Sequence, residues 1–393
     1  MSTQADLLER YGAVMMNAFG TPKRAFVRGE GIHLVDADGN RYVDLLAGIA
    51  VNALGHNHPR VTEAIVSQLH TLGHVSNFFA TEAQVRLAER LAAAADDAGT
   101  ARVFFTNSGT EANEAAFKIT RLTGRRRIVA MEGSFHGRTM GALAITHTSK
   151  YRTPFEPLPG DIVFVPFGDV QALEAAVDDA TAAVVLEVIQ GESGVVPAPD
   201  GYLAAARRIT EASGALLWID EVQTGAGRCG DLYAHRADRI TADLITLAKG
   251  IANGFPMGAC IAVGPASGLM QPGLHGSTFG GNPVGAAAGN AVLDELEGGV
   301  YDNVKEVGNW FAASVEGLGH PLIAGVRGRG LLRGIVLTEP VAVTFAEAAL
   351  EAGWVVNAPR PDVLRIAPPL VITKAELGAF VDALPGLLER ARG

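Results

Sequence analysis

Two apolar runs of this chain, residues 216–219 and 244–248, each stop abruptly on a charged side chain, Asp220 and Lys249. A run of four to six apolar residues bounded by polar residues and glycine reads as a buried strand of a parallel sheet, so each charge stands where its strand leaves the core. Ligands of open α/β sheets bind at that carboxyl edge, which delivers one carboxylate and one ammonium to a single crevice. The two are 29 positions apart, about one strand–helix–strand unit. An acid and an amine so placed suit an electron-sink cofactor. The carboxylate of Asp220 beside a pyridine nitrogen keeps that nitrogen protonated, while Lys249 links to a cofactor aldehyde and then carries protons to and from substrate. The competing reading of each charge alone is a surface ion pair.

Three other segments carry polar groups to the same edge. A strand at 103–106 runs into Asn107-Ser108-Gly109-Thr110-Glu111 and then a helix, and Ser108, Gly109 and Thr110 could cradle a phosphate with free amides at the positive helix end. The same residues could equally be an ordinary helix cap. Gly133-Ser134-Phe135-His136-Gly137-Arg138 offers Phe135 to stack on a flat ring and Arg138 to grip a carboxylate. Glu192, in Gln190-Gly191-Glu192-Ser193-Gly194, is either a solvated loop residue or the partner of a site arginine. Val222 and Gln223 follow Asp220 closely enough to pack under a ring and to hydrogen-bond a ring oxygen. Gly225, Gly227 and Gly230 match GxGxxG, but residues 221–224 separate them from the strand and no helix opens after Gly230, so a dinucleotide fingerprint is rejected.

The elements that must position these groups follow from the alternation of short apolar runs with Ala-rich stretches between 102 and 264. Strands are expected at 103–106, 128–131, 162–165, 183–188, 216–220, 244–247 and 260–263, with helices at 111–121, 170–177 and 202–213. A long helix at 284–296 then leads to a bent strand pair at 326–337. The expected organisation is an N-terminal segment 1–50 packing with a small C-terminal domain 285–393, and a large domain 51–284 between them. With 393 residues, 48% of them hydrophobic, the chain can bury a large core, and its net charge of −10 argues against a nucleic-acid surface. Arg125, Arg126 and Arg127 read as a solvated helix exit. No secretory signal is expected from residues 1–20, and no apolar run is long enough to span a bilayer. The only two cysteines, Cys229 and Cys260, belong to no metal cluster, and His56 and His58 lack further ligands, so no metal is expected and a reducing cytoplasm is the simplest home.

Five segments together, 108–113, 135–138, 220–225, Lys249-Gly250 and 275–283, resemble the class III aminotransferases in order and from end to end. The resemblance implies the fold type I architecture, an α/β fold with a mostly parallel, doubly wound sheet in a large domain plus a smaller α+β domain, and pyridoxal 5′-phosphate as cofactor. It assigns Lys249 as the Schiff-base lysine, Asp220 to the pyridine nitrogen, Phe135 to ring stacking and Ser108, Gly109 and Thr110 to the phosphate. It assigns Thr278 to the phosphate of a neighbouring subunit, hence a homodimer with shared active sites. Segments 44–52, 72–77 and 364–370 are similar to the members of that class acting on N2-acetylornithine. They imply its transamination with 2-oxoglutarate in arginine biosynthesis, with Arg138 and Ser277 on the remote carboxylate region of the donor, Arg365 on the carboxylate beside the keto group of the acceptor, and Glu192 pairing with Arg365. The chain departs from the family pattern at Val188 and Cys229. Succinyldiaminopimelate, ornithine and 4-aminobutyrate transaminases share much of the pattern. An aminomutase would need no external 2-oxoglutarate, a case that Arg365 disfavours, and a non-catalytic pyridoxal-binding protein would be expected to lack Lys249.

Overall fold

The computed structural model describes residues 3–393. Its chain first makes an antiparallel meander of β1 (Phe26–Glu30), β2 (His33–Asp36) and β3 (Arg41–Asp44). The turn between β2 and β3 is set by Asp36, whose Oδ1 accepts the amides of Asp38 (3.1 Å) and Asn40 (2.8 Å), with Gly39 taking the left-handed φ of +91°.

The seven apolar runs pair into one sheet: β4 (Arg102–Thr106), β5 (Arg127–Met131), β6 (Asp161–Val165), β7 (Thr181–Glu187), then a small hairpin of β8 (Ile189–Gln190) and β9 (Val196–Pro197) outside it, then β10 (Leu216–Asp220), β11 (Leu244–Leu247) and β12 (Gly258–Ala262). The order across the sheet is β4-β12-β11-β10-β7-β5-β6. β12 runs antiparallel to both of its neighbours, whereas the other pairs are parallel, so the remaining six strands point the same way. Six carboxyl ends therefore meet at one edge. Every residue of β7 is buried, as expected of a central parallel strand covered on both faces. On one face the helix Gly109–Arg121 lays Ala112, Ala115, Ala116 and Ile119 against the sheet; the small side chains let its axis come close to β11 and β12.

The expected strands and helices lie at their expected places, within two residues at their ends, except that the strand pair expected from 326 begins three residues earlier, at Ile323. The strand expected at 260–263 begins at Gly258, where a Cβ would fall 2.5 Å from the Ser108 carbonyl, so only glycine lets it start there. The basic run at 125–127 is not simply a solvated helix exit. Arg125 Nη1 donates to the carbonyls of Thr181 (3.1 Å) and Ser213 (2.8 Å), Arg127 opens β5 and pairs with Asp178 (2.5 Å), and only Arg126 is fully exposed. Gly225, Gly227 and Gly230 lie in successive turns followed only by a short 3-10 helix at Ala234–Asp238, which agrees with rejecting the dinucleotide motif.

Past the helix Pro283–Glu295, whose first turn is capped by Asn282 Oδ1 on the Val284 amide (2.9 Å), comes a second four-stranded sheet. It contains β13 (Ile323–Arg329) and β14 (Leu332–Leu337), then, after the short β15 (Trp354–Val355), β16 (Asn357–Arg360) and β17 (Val363–Ile366), in the order β13-β14-β17-β16. β15 pairs in parallel with β3, so the C-terminal part of the chain completes the N-terminal sheet. Among the described residues no helix is long and apolar enough to cross a membrane.

Candidate active site

Asp220 closes β10 and is 3% exposed. Three donors converge on it: Asn113 Nδ2 (2.8 Å) and His136 Nδ1 (2.6 Å) on Oδ2, and the Val222 amide (2.9 Å) on Oδ1. Its direction is thus fixed from the helix Gly109–Arg121, from the loop after β5 and from its own turn. His136 in turn lies near the Trp218 ring, and its Nε2, like Asn113 Oδ1, is buried without a partner.

Lys249 follows β11 after one residue and has φ +48°. A non-glycine residue in that region carries backbone strain of about 1–3 kcal/mol and persists only where its surroundings impose it. No hydrogen bond or ion pair holds its ammonium among the described residues. Burial pushes Lys249 down to about 8, with Arg365 adding to the effect and Glu192, Asp220 and Glu187 opposing it. An amine in that range is partly neutral near physiological pH, as a nucleophile and proton carrier must be.

β4 ends at Thr106, and after two intervening residues the helix Gly109–Arg121 begins, with Ser108 Oγ accepting the Glu111 amide at 3.3 Å. The first-turn amides of Gly109 and Thr110 have no intrahelical acceptor, and the Ser108 hydroxyl keeps its proton to donate. The hydroxyl of Thr110 is engaged: it accepts the amides of Arg138 (3.2 Å) and Thr139 (3.1 Å) and lies 2.7 Å from Thr139 Oγ1. Its contribution to an anion would come chiefly from its backbone. A Cβ on Gly109 would come within 2.7 Å of Val222 Cγ1, so Val222 sits directly on the cradle.

Asp220, Lys249, Ser108, Gly109, Thr110, Phe135, Arg138, Glu192, Val222 and Gln223 all line one cavity of about 470 Å³, within the usual range for a small-molecule site. Phe135 is held edge-on by Tyr151 at 6.3 Å between ring centroids, and the Arg138 guanidinium lies over the Tyr151 ring at 3.5 Å, a cation–π contact that leaves its edge toward the cavity. Glu192 hangs on the loop between β8 and β9 and forms an ion pair with Arg365 of β17 at 2.5 Å. Burial alone would raise Glu192, but the charge and hydrogen bond of Arg365 outweigh it and hold the carboxyl below its ordinary range. Arg365 does not itself line this cavity and stands behind Glu192 at its wall, and Ser277 and Thr278 are not brought into it. Ser277 and Thr278 line a separate one with His74, Asn77 and Phe78, and Asn107 of the first cavity reaches toward it, its Nδ2 lying 3.3 Å from Ser277 Oγ.

Three residues without a sequence-derived role belong to the site: Asn113, His136 and Glu187. Glu187 ends β7 in register with Asp220 on β10, the very feature that marks Asp220. Its two carboxyl oxygens accept the amides of Phe135 (3.1 Å) and Gly191 (3.3 Å), tying the ring-stacking loop to the loop of Glu192. Burial pushes Glu187 up to about 7; Asp220 reinforces this, while His136 and the two amides oppose it. A signal existed in the strand spacing, but the apolar Val188-Ile189 hides where β7 ends.

The family model for aminotransferase class III matches residues 16–388. The chain is 58% identical over 393 residues to a protein named acetylornithine aminotransferase from Mycobacterium tuberculosis, covering 100% of this chain and 98% of that relative. Among solved structures, N-acetylornithine aminotransferase from Stenotrophomonas maltophilia is 34% identical with a TM-score of 0.82, covering 97% of this chain and 98% of that one. Ornithine aminotransferase from Toxoplasma gondii is 29% identical with a TM-score of 0.92, covering 100% and 96%.

Proposed function

This chain belongs to the class III aminotransferase family, and on that premise we propose that it transfers the distal amino group of N2-acetylornithine to 2-oxoglutarate, giving N-acetylglutamate 5-semialdehyde and glutamate. The cofactor of the family is pyridoxal 5′-phosphate, and the donor set of the cavity fits it: free first-turn amides for a phosphate, a buried carboxylate for a ring nitrogen and an unpaired amine for an aldehyde. The first-turn amides of Gly109 and Thr110 with the Ser108 hydroxyl would hold the phosphate, Phe135 and Val222 the two ring faces, Gln223 the ring oxygen and Asp220 the ring nitrogen. When bound, that group supplies a conjugated pyridinium able to take up the electron pair of a broken C–H bond.

The chain's own side chains do the rest. Lys249 Nζ would hold the group through its aldehyde carbon and, as a free amine, would move the proton at the substrate carbon that bears nitrogen. Arg138, fixed on Tyr151 and without a carboxylate ion-pair partner among the described residues, receives the remote carboxylate of the donor. During the donor half-reaction Glu192 neutralises Arg365, so the cavity presents no free cation beside the reacting carbon. When Glu192 swings out, Arg365 takes the carboxylate next to the keto group of 2-oxoglutarate. The observation that carries this reading is the 2.5 Å pair between the nearly inaccessible Arg365 and the 38% exposed Glu192, a built-in stand-in for a substrate carboxylate.

We further place the enzyme in the cytoplasm as a homodimer with shared sites. Both cysteines are unpaired and buried. Phe78, Phe79 and Phe279 are 92%, 65% and 60% exposed around the cavity that holds Thr278, more apolar surface than a monomer usually leaves bare. The test is spectroscopic: the absorbance of the lysine-bound cofactor should bleach with N2-acetylornithine and return with 2-oxoglutarate. Bleaching by ornithine or 4-aminobutyrate but not by N2-acetylornithine would move the substrate assignment, and no bleaching with any ω-amine would remove it.

A further inference from the structure

Arg365 lies on β17 between two strands that treat it differently. On one side it is in register with Gly334 of β14, where even a methyl group would stand 3.1 Å from the Gly194 carbonyl. On the other it is in register with Asn357 at the start of β16, and Arg365 Nη2 donates to Asn357 Oδ1 at 2.8 Å. Nη1 carries the pair with Glu192, with Gln223 Oε1 no nearer than 3.5 Å, and Nε is buried without a partner. Once Glu192 departs, the Asn357 carbonyl is thus the one short side-chain hydrogen bond left on the guanidinium among the described residues.

We infer that Asn357 is a positioning residue for acceptor recognition: it keeps Arg365 directed at the place on the cavity wall that Glu192 occupies while Glu192 is away, so that the arginine is the fixed half of the pair and the glutamate the moving half. This rests on the proposed role of Arg365 toward 2-oxoglutarate. The chemistry of the side chains agrees. An amide oxygen holds an arginine without cancelling its charge, whereas a carboxylate at the same place would neutralise it permanently. Each Nη carries two hydrogens, so Nη2 can remain on Asn357 and still present its second hydrogen beside those of Nη1 to an incoming carboxylate. Strand pairing fixes the anchor, because a cross-strand neighbour cannot drift away with the Glu192 loop. Asn357 also lines a second cavity with Lys23, Arg24 and Phe26 and is not among the residues that line the cavity of the cradle and Lys249.

The experiment compares the two half-reactions of wild type and Asn357→Ala, together with binding of glutarate, an unreactive dicarboxylate competing with 2-oxoglutarate. The expected result is a KM for 2-oxoglutarate and a Kd for glutarate each raised about tenfold, the scale of one hydrogen bond to a charged group, with kcat and the donor half-reaction within about twofold of wild type. Asn357→Asp, which retains an acceptor but cancels the charge, should weaken glutarate at least as much as Asn357→Ala. Unchanged glutarate binding in Asn357→Ala, an equal slowing of both half-reactions, or tighter glutarate binding in Asn357→Asp would overturn the inference. Failure of wild type itself to react with N2-acetylornithine would instead count against the substrate assignment, and leaves the glutarate measurement to judge Asn357.

Discussion

The two ends of the cavity are built in opposite ways. Around Asp220 everything is held by parallel strands and the helix they abut: three hydrogen bonds on one carboxylate, 3% exposure, and Glu187 in register on the next strand. Around Arg365 one partner is equally immobile, but the other, Glu192, sits on a two-strand hairpin between Gly191 and Gly194, the latter at φ +98°, with over a third of its side chain exposed. A reaction that uses two different substrates at one cofactor needs this division. The groups that handle protons and the ring must not move, and the group that tells one substrate from the other must.

The sharpest way to break the comparison is at its immobile end. Lys249→Ala removes the covalent anchor and the proton carrier together, each worth about 10²-fold or more, so turnover should fall by several orders of magnitude. The cofactor should still bind through the phosphate cradle and Asp220, detected as absorbance without the lysine-linked band. Measurable turnover above about 1% would show that another base does the work, and the contrast between a fixed chemical end and a movable selective end would lose its first term.

That end was also the more legible one in the amino-acid sequence, for a physical reason. A charged residue closing a run of buried β-formers is costly unless it serves a site, so Asp220 and Lys249 stand out, and a serine before a helix advertises its free amides. Glu187 satisfies the same rule but is followed at once by Val188 and Ile189 of the next short strand, so its run has no visible end. Asn113 and His136 act on Asp220 across 107 and 84 positions, and Asn357 depends on a strand register eight residues from Arg365; no local pattern encodes such contacts. Ser277 and Thr278 came from family likeness alone, and within one chain they line a different cavity.

Glu192→Ala tests the movable end and should cost less. It leaves Arg365 permanently uncovered, so the balance should tilt by about tenfold toward substrates with a carboxylate beside the reacting carbon: slower reaction with N2-acetylornithine, easier reaction with glutamate as donor. Because Arg365 holds the Glu192 carboxyl below its ordinary range, wild type should keep its donor-to-acceptor preference unchanged between pH 6 and 8. An unaltered balance of half-reaction rates in the variant would mean that the pair is merely structural, and both ends of the cavity would then be of one kind.

The carboxyl group that ties the two ends together should leave its mark on stability and not on rate. Burial lifts Glu187 from 4.5 to about 7, so between those values the folded protein binds a proton that the unfolded chain has already released. The folded state then binds more protons than the unfolded one, and stability must fall as pH rises through that window; the contribution is fully present below 4.5 and gone above about 7, of the order of 3 kcal/mol. Glu187→Gln cannot titrate and can offer only one oxygen, so it gives up one of the amides of Phe135 and Gly191, a loss of about 1 kcal/mol that does not depend on pH. Subtracting the pH 5 value from the pH 8 value for each protein cancels that constant loss. The denaturant midpoint of wild type should therefore drop more between pH 5 and pH 8 than that of Glu187→Gln, and equal drops would mean that Glu187 does not hold the proton.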